Sequence, residues 1–250
     1  MQNHLVHYIY GIADNSLILG QRLGELCGHG PSLETDIAMT NISLDLFGQT
    51  RSYYQYAAQL LGGETTEDTI AFLRSEREYK NVLLVEQPNT DFAHIITKQF
   101  LFDLFHLLLL EELQNSADES LAAIAKKSSK EVRYHLRFSS DWIKRLGDGT
   151  EESHNRIQTA MNDLWIYTDE LFDQTDADKA IVEMNIGVNV TLLKAVYYKM
   201  ASDILEEATL QKPVIQYFQK GGKEGIHSEH MGYLLADMQY MQRAYPNMNW

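Results

Sequence analysis

Asp91-Phe-Ala-His-Ile-Ile-Thr-Lys-Gln-Phe-Leu-Phe-Asp-Leu-Phe-His-Leu-Leu-Leu-Leu-Glu-Glu-Leu-Gln114 is the stretch on which the fold turns. Its apolar residues lie on nearly every side of a helix rather than on one stripe, and a helix apolar all round belongs in the middle of something. A membrane span from Ile95 to Leu113 is the competing reading. It would place Lys98, Asp103, His106, Glu111 and Glu112 in lipid. Charges near a bilayer centre cost about 2.5–3.5 kcal/mol each, even on lenient insertion scales. A buried core helix explains the same run without that cost. The reading is therefore a helical protein with no membrane association, built around this segment.

The sequence on either side is punctuated as helices are. All four prolines and most glycine pairs fall between periodic segments. A first helix is expected from about His4 to Leu26, stopped by Gly28 and Gly30. Pro31 and Ser32 open a second, with Glu34 and Asp36 at the positive end of its dipole. Its apolar positions, Ile42, Leu46, Tyr53, Ala57 and Leu60, recur mostly every three to four residues until Gly62-Gly63. Thr65 or Thr66 caps a third helix that is expected to reach Tyr79 or slightly beyond. Val82 to Asn89 then reads as an extended crossover of about 25 Å at ~3.3 Å per residue. Beyond the core helix, further helices are expected over Asp118–Arg145, Glu152–Phe172, Thr191–Leu210 and Ser228–Ala244. No strand pattern of any strength competes. The expected fold is an all-α bundle in a single domain.

Composition narrows the function. The chain has 250 residues, enough for one large core. A net charge of -14 argues against nucleic acid, whose phosphates demand a basic face. One cysteine, Cys27, excludes an internal disulfide and suits a reducing cytoplasm. Met1 to Tyr10 lacks a basic region followed by an apolar run, so no secretory leader is expected.

Four acids sit near the centres of four expected helices: Asp45, Glu76, Asp103 and Glu131, separated by 31, 27 and 28 residues. His106 follows Asp103 and His135 follows Glu131 by about one turn, so each pair shares a helix face. Four carboxylates with two Glu-x-x-His pairs pointing into a four-helix bundle make a di-iron carboxylate site. Here the pattern is broken. Glu76-Arg-Glu-Tyr79 and Glu131-Val-Arg-Tyr134 place tyrosines where histidines belong, and a neutral phenol is a poor ligand for a divalent metal. A plainer reading stands beside it, in which buried acids pair with Arg74, Arg77 or Arg133 and the histidines are hydrogen-bonded core. His227-Ser-Glu-His230 has two-histidine spacing without a third ligand and reads as a capped helix start. Gly221-Gly-Lys-Glu-Gly225 lacks a phosphate-loop pattern and reads as a flexible loop. Tyr53-Tyr-Gln-Tyr56 reads as packing surface.

Several blocks resemble one family. Gln21-Arg-Leu-Gly-Glu-Leu-Cys-Gly-His29, Asn41-Ile-Ser-Leu-Asp-Leu-Phe-Gly-Gln49, Leu84-Val-Glu-Gln-Pro-Asn89, Arg133-Tyr-His-Leu-Arg-Phe138 and Gly221-Gly-Lys-Glu-Gly-Ile-His-Ser-Glu-His230 are similar to the C subunits of bacterial phenylacetyl-CoA 1,2-epoxidases. They occur in the same order and at similar spacing, from about Asp14 to Trp250. The resemblance implies a ferritin-like helical bundle with additional helices, over residues 1–250. It implies a structural, non-catalytic subunit of a multicomponent monooxygenase in aerobic phenylacetate catabolism. In such a complex the A subunit holds the di-iron site and binds the CoA thioester. A small B subunit joins it, and a flavin and iron–sulfur reductase supplies electrons. One oxygen atom of O2 is added across the aromatic ring.

For this chain the resemblance therefore implies no catalytic residue, no cofactor and no bound metal. Asp45, Glu76, Tyr79, Asp103, His106, Glu131, Tyr134 and His135 are the expected positions of a degenerate di-iron site. The expected state is a cytoplasmic hetero-oligomer, or a homodimer when alone. The alternative is a stand-alone di-iron or di-manganese oxygenase with a variant carboxylate site.

Overall fold

Most helices begin where a side-chain oxygen is free to cap them. The computed structural model describes residues 2–246 and Met248; Met1, Asn247, Asn249 and Trp250, at the ends of the stretch read as one domain, lie outside the described residues. After α1 (Gln2–Gly24), Ser32 accepts from the Thr35 amide to open α2 (Leu33–Leu61), which Gly62 closes at φ +70°. Thr66 caps α3 (Glu67–Phe72) in a reciprocal box with Thr69. Between α3 and the core helix lies a single turn, α4 (Leu83–Glu86). Asp91 caps α5 (Phe92–Leu113), Asp118 caps α6 (Glu119–Gly147), and Thr150 caps α7 (Glu151–Leu164). The chain finishes with α8 (Asp176–Glu183), α9 (Lys194–Glu207) and α10 (Glu229–Ala244). No strand occurs among the described residues.

The four long helices form the bundle. α1 packs along α2, α5 packs along α6, α2 joins the two pairs by packing against α6, and α4 lies between α1 and α5 on the other side. As the sequence predicts, α5 is the core helix. It is long and apolar enough to cross a bilayer, yet 89% of that window is buried inside the protein. One apolar core runs from Leu5 to Leu235, with α7 and α9 packed against α5 and α6 and α10 against α3. The all-α ferritin-like expectation describes this arrangement, with α7 to α10 as the added helices.

Several boundaries differ from the sequence reading, for identifiable reasons. α3 stops at Phe72 instead of reaching Tyr79. Arg74 turns back, donating from Nε to the Ile70 carbonyl, and its guanidinium goes to Asp14 on α1, with Nη2 2.6 Å and Nη1 3.0 Å from the two carboxylate oxygens. That buried pair carries the chain out of the helix and into a 3₁₀ turn at Glu76–Glu78. The helix expected over Glu152–Phe172 ends at Leu164 and continues as two 3₁₀ turns, Trp165–Tyr167 and Asp169–Phe172. A short 3₁₀ turn, Val190–Leu193, likewise precedes α9. The sequence reading missed α8, although Thr175 and Asp178 form a capping box there.

The crossover between the bundle halves is not extended along its length, because Leu83–Glu86 wind into a helical turn, and it is buried. Val82 to Gln87 are all shielded from solvent, so their backbone groups need internal partners. Asn15 accepts from the Val82 amide and Glu170 from the Leu83 amide. Arg22 donates twice to the Glu86 carbonyl, at 3.0 and 2.8 Å, and Lys98 donates to the Gln87 carbonyl at 2.6 Å. Burial brings the Lys98 ammonium down to about 7. The Glu86 carboxylate accepts from Asn81, from His227 at 2.8 Å and from the Ser228 amide at 2.6 Å.

The Gly-rich stretch is therefore a strap, not a loose loop. A Cβ on Gly222 would lie 2.2 Å from the Asn81 carbonyl, and one on Gly225 (φ +79°) 2.2 Å from that of Arg77. Only glycine lets these backbones meet. His227 Nδ1 donates to Glu86 and its Nε2 faces the Tyr79 carbonyl at 3.1 Å, so the ring that serves both is the imidazolium. Burial opposes that charge, but the Glu86 bond and charge outweigh it and raise the His227 pKa above 6.5.

This pairing has measurable consequences. Glu86→Ala lets burial strip His227 of its proton and leaves the Asn81 amide and the Ser228 N–H without their acceptor. It should cost about 1–3 kcal/mol for each buried donor left unpaired in chemical denaturation while exposing the strap to limited proteolysis. The His227 contribution is complete below its unfolded pKa near 6.5 and is lost as pH rises through the higher folded value. Thermal midpoints of wild type should accordingly fall over that window, and His227→Gln should flatten the fall.

Candidate metal centre

The bundle interior gathers some of the predicted ligands and leaves others outside. Asp103 on α5 is completely buried. Its carboxylate accepts from the Gln99 side-chain amide at 2.5 Å and from the Ser139 hydroxyl of α6 at 2.8 Å. Burial pushes its pKa up to about 7; the charge of His135 and the two hydrogen bonds offset this only in part. His106, one turn along α5, is also buried, with its ring 5.0 Å from that of Phe102. Burial, then the neighbouring His135, lower it to about 3, so the ring is neutral. Neither of its nitrogens has a hydrogen-bond partner. His135 reaches across from α6 to α2, its Nε2 3.0 Å from Asp45 Oδ2.

Asp45 and Glu131 sit at the rim rather than in the centre. The Asp45 side chain is 39% exposed, and half-buried Glu131 accepts from Gln49 Nε2 at 3.0 Å. The inward-facing residues are their immediate neighbours. Leu46 and Gln49 on α2, and Val132 and His135 on α6, are buried pairs three residues apart. In an α-helix one residue is about 100° of rotation, enough to move a side chain from core to edge. The inward i,i+3 pairs are thus Leu-x-x-Gln and Val-x-x-His, with apolar residues at the leading positions.

Three predicted positions do not belong to this cluster. Glu76 is exposed on the 3₁₀ turn. Tyr79 is buried elsewhere: its hydroxyl bonds to the Ala71 carbonyl and accepts from Gln239, and Arg74 stacks 4.2 Å from its ring centre. Tyr134 is 41% exposed on the outer face of α6. The tyrosines are therefore not replacements for inward histidines. The expectation that Glu76, Tyr79 and Tyr134 mark degenerate ligand positions is corrected on that geometry. The buried acid of the other half is Asp14 on α1, which the sequence reading missed, and Arg74 and the Tyr54 hydroxyl occupy it.

The donor set does not fit a pair of metal ions. Both oxygens of Asp103 hold protein donors, His106 stands beside Phe102, and Leu46 and Val132 present hydrocarbon. Among the described residues no three His, Cys, Asp or Glu side chains come together as a metal-binding group. What the arrangement does offer is a hydrogen-bonded rung, Asp45–His135, beside a carboxyl that is readily protonated. A separate cavity of about 270 Å³ opens beside α1 and α8; Phe105 and Leu109 reach it from the α5 face turned away from Asp103.

The family model described as phenylacetic acid catabolic protein matches residues 1–250. The chain belongs to that family. Over 248 residues, 99% of this chain and all of the relative, it is 49% identical to the C subunit of the 1,2-phenylacetyl-CoA epoxidase of Escherichia coli strain K12. Two of the blocks that carried the resemblance, Leu84–Asn89 and Gly221–His230, meet in space through the Glu86–His227 pair.

Asp103 provides a direct test of its role. Its folded pKa, near 7, exceeds the usual 3.8, so folding favours the protonated acid. Its stabilising effect is complete below about 3.8 and is lost as pH rises to about 7. Asp103→Asn keeps an acceptor for Gln99 and removes the ionisation. It should raise the thermal midpoint at neutral pH and flatten the dependence between those limits. A variant less stable than wild type at neutral pH would contradict this account.

Proposed function

We propose that this chain is a non-catalytic, structural subunit of a multicomponent phenylacetyl-CoA epoxidase in the cytoplasm, paired with a catalytic, metal-bearing A subunit. A small B subunit and an electron-supplying reductase complete the assembly. The observation that carries the reading is the filling of the bundle centre. Leu46 and Val132 occupy the leading positions of the two inward pairs, and Asp103 is tied to Gln99 and Ser139. Each Asp103 oxygen keeps a lone pair beyond its hydrogen bond, but among the described residues no three His, Cys, Asp or Glu side chains come together to share an ion with it. The near full-length likeness to the C subunit of an epoxidase supports the same role. In this reading the chain contributes a rigid bundle that the crossover and the strap hold in one shape. It holds no cofactor of its own, and it forms a hetero-oligomer with its companion or a homodimer when isolated alone.

The test uses the purified full chain incubated anaerobically with Fe(II). Bound iron should stay well below one per chain, and phenylacetyl-CoA should provoke no O2 uptake. Adding the catalytic companion and the reductase should give an active, co-eluting complex. Stoichiometric iron with a carboxylate-bridged absorption band, or O2 uptake by the chain alone, would overturn the proposal in favour of a stand-alone oxygenase.

A further inference from the structure

The outer face of α6 has a charge balance opposite to that of the protein. The chain carries 35 acids against 21 Lys and Arg, yet α6 holds seven of those cations and only three acids, Glu119, Glu131 and Asp141. Two of the seven are paired, Arg133 with Glu111 and Lys144 with Glu207. Among the described residues the other five, Lys126, Lys127, Lys130, Arg137 and Arg145, make no ion pair, and all are exposed. Lys126 and Lys130 lie one turn apart, and Arg137 and Arg145 follow at about two turns each, which sets them along one side of the helix. In so acidic a chain, acids to neutralise them are plentiful, yet the row holds one, the exposed Asp141, one turn from both Arg137 and Arg145 and in no ion pair with either.

Aromatic groups are threaded through the same row. Arg137 lies 5.6 Å from the centre of the exposed Tyr134 ring, and Arg145 4.9 Å from that of Trp142. Arg, Tyr and Trp are the side chains that dominate binding energy at protein interfaces. Alongside runs the outer face of α2. The Asp45–His135 and Gln49–Glu131 contacts fix the two helices side by side. α2 turns Leu33, Ile37 and Leu44 to solvent, 72, 52 and 60% exposed. A shallow cleft between the helices is lined by Glu34, Thr35, Phe138, Asp141, Trp142 and Arg145. The surface thus combines an apolar strip with one in which cations outnumber acids, the make-up of a polar-rimmed interface rather than a merely solvated face.

The charge also selects the occupant. A second copy of this chain docking here about a two-fold axis that crosses the helices would set the cation row against itself, and an axis running along them would set it against the apolar strip of Leu33, Ile37 and Leu44. Like charges brought together, or charges set on hydrocarbon, oppose association. We infer that the α2–α6 outer face docks a different protein chain, an acidic surface of the catalytic companion. This inference rests on the pairing proposed above and adds the face and the charge of the partner.

The experiment measures binding of the full chain to that companion by sedimentation velocity, at low and at high salt. Wild type is compared with Lys130→Glu/Arg137→Glu/Arg145→Glu, and with a control reversal elsewhere, Arg77→Glu/Lys179→Glu/Lys199→Glu. Thermal unfolding checks that each variant is folded, and a Gln series at the three α6 sites gives a milder neutralisation. The α6 reversal should weaken binding at least about tenfold, the Gln series less, and the control by no more than about twofold. Wild-type affinity should fall with salt. Unchanged binding of the α6 reversal, equal weakening by the control, or loss only of self-association would overturn the inference and leave the pairing standing. Failure of wild type to bind the companion would overturn the pairing itself.

Discussion

A buried carboxylate ties this protein together. Glu86 sits at the end of a single helical turn, inside the fold, and serves three partners from two distant parts of the chain: Asn81, the His227 ring and the Ser228 amide. A charge at that depth is tolerable only when fully hydrogen-bonded. The crossover that joins the bundle halves therefore cannot settle until the strap arrives. Once it has, Arg22, Lys98 and Glu170 anchor the backbone on either side. The glycines of the strap are the steric condition for this arrangement, and the imidazolium is its electrical one.

The bundle centre is governed by a different constraint, the angular step of the helix. Asp45 and Glu131 are adjacent in sequence to the residues that point inward, and that single step separates a rim hydrogen bond from a core position. The centre consequently holds one acid, Asp103, whose charge is relieved by protonation, in place of four carboxylates demanding a cation. The buried acid of α1, Asp14, is neutralised by Arg74 instead. Each half of the bundle has its own way of keeping a carboxylate in hydrocarbon.

Much of the fold was legible because long helices announce themselves. Asp91 to Gln114 matches α5 to within a residue, Ser32 is legible as the opening of α2, and the cap of α3 narrows to Thr65 or Thr66, of which Thr66 serves. What was not legible depended on partners far away in sequence. Nothing near Arg74 reveals that its side chain will end α3 by reaching Asp14, 60 residues earlier. The candidate site failed in part for a related reason. Acid-and-histidine spacing matches the ligand pattern, but the burial phase of each helix decides which of those residues point inward. Ile42, Leu46, Gln49 and Tyr53 on α2, and Val132, His135, Ser139 and Ile143 on α6, give that phase. They would have excluded Tyr134 from the interior. Glu76 and Tyr79 were beyond such a correction, since the helix assumed to carry them is absent.

The Glu86–His227 contact spans 141 residues, and this separation imposes an order on assembly. The α1–α2 and α5–α6 pairs are neighbours in sequence and can form as soon as each is synthesised. Closing the strap must wait, because a contact between distant residues carries the loop-closure cost of everything between them. On the ribosome, the bundle would stand with an incompletely satisfied crossover until the segment around His227 emerges. That interval is when the nascent chain is most open to capture by a chaperone or to mispairing with another copy.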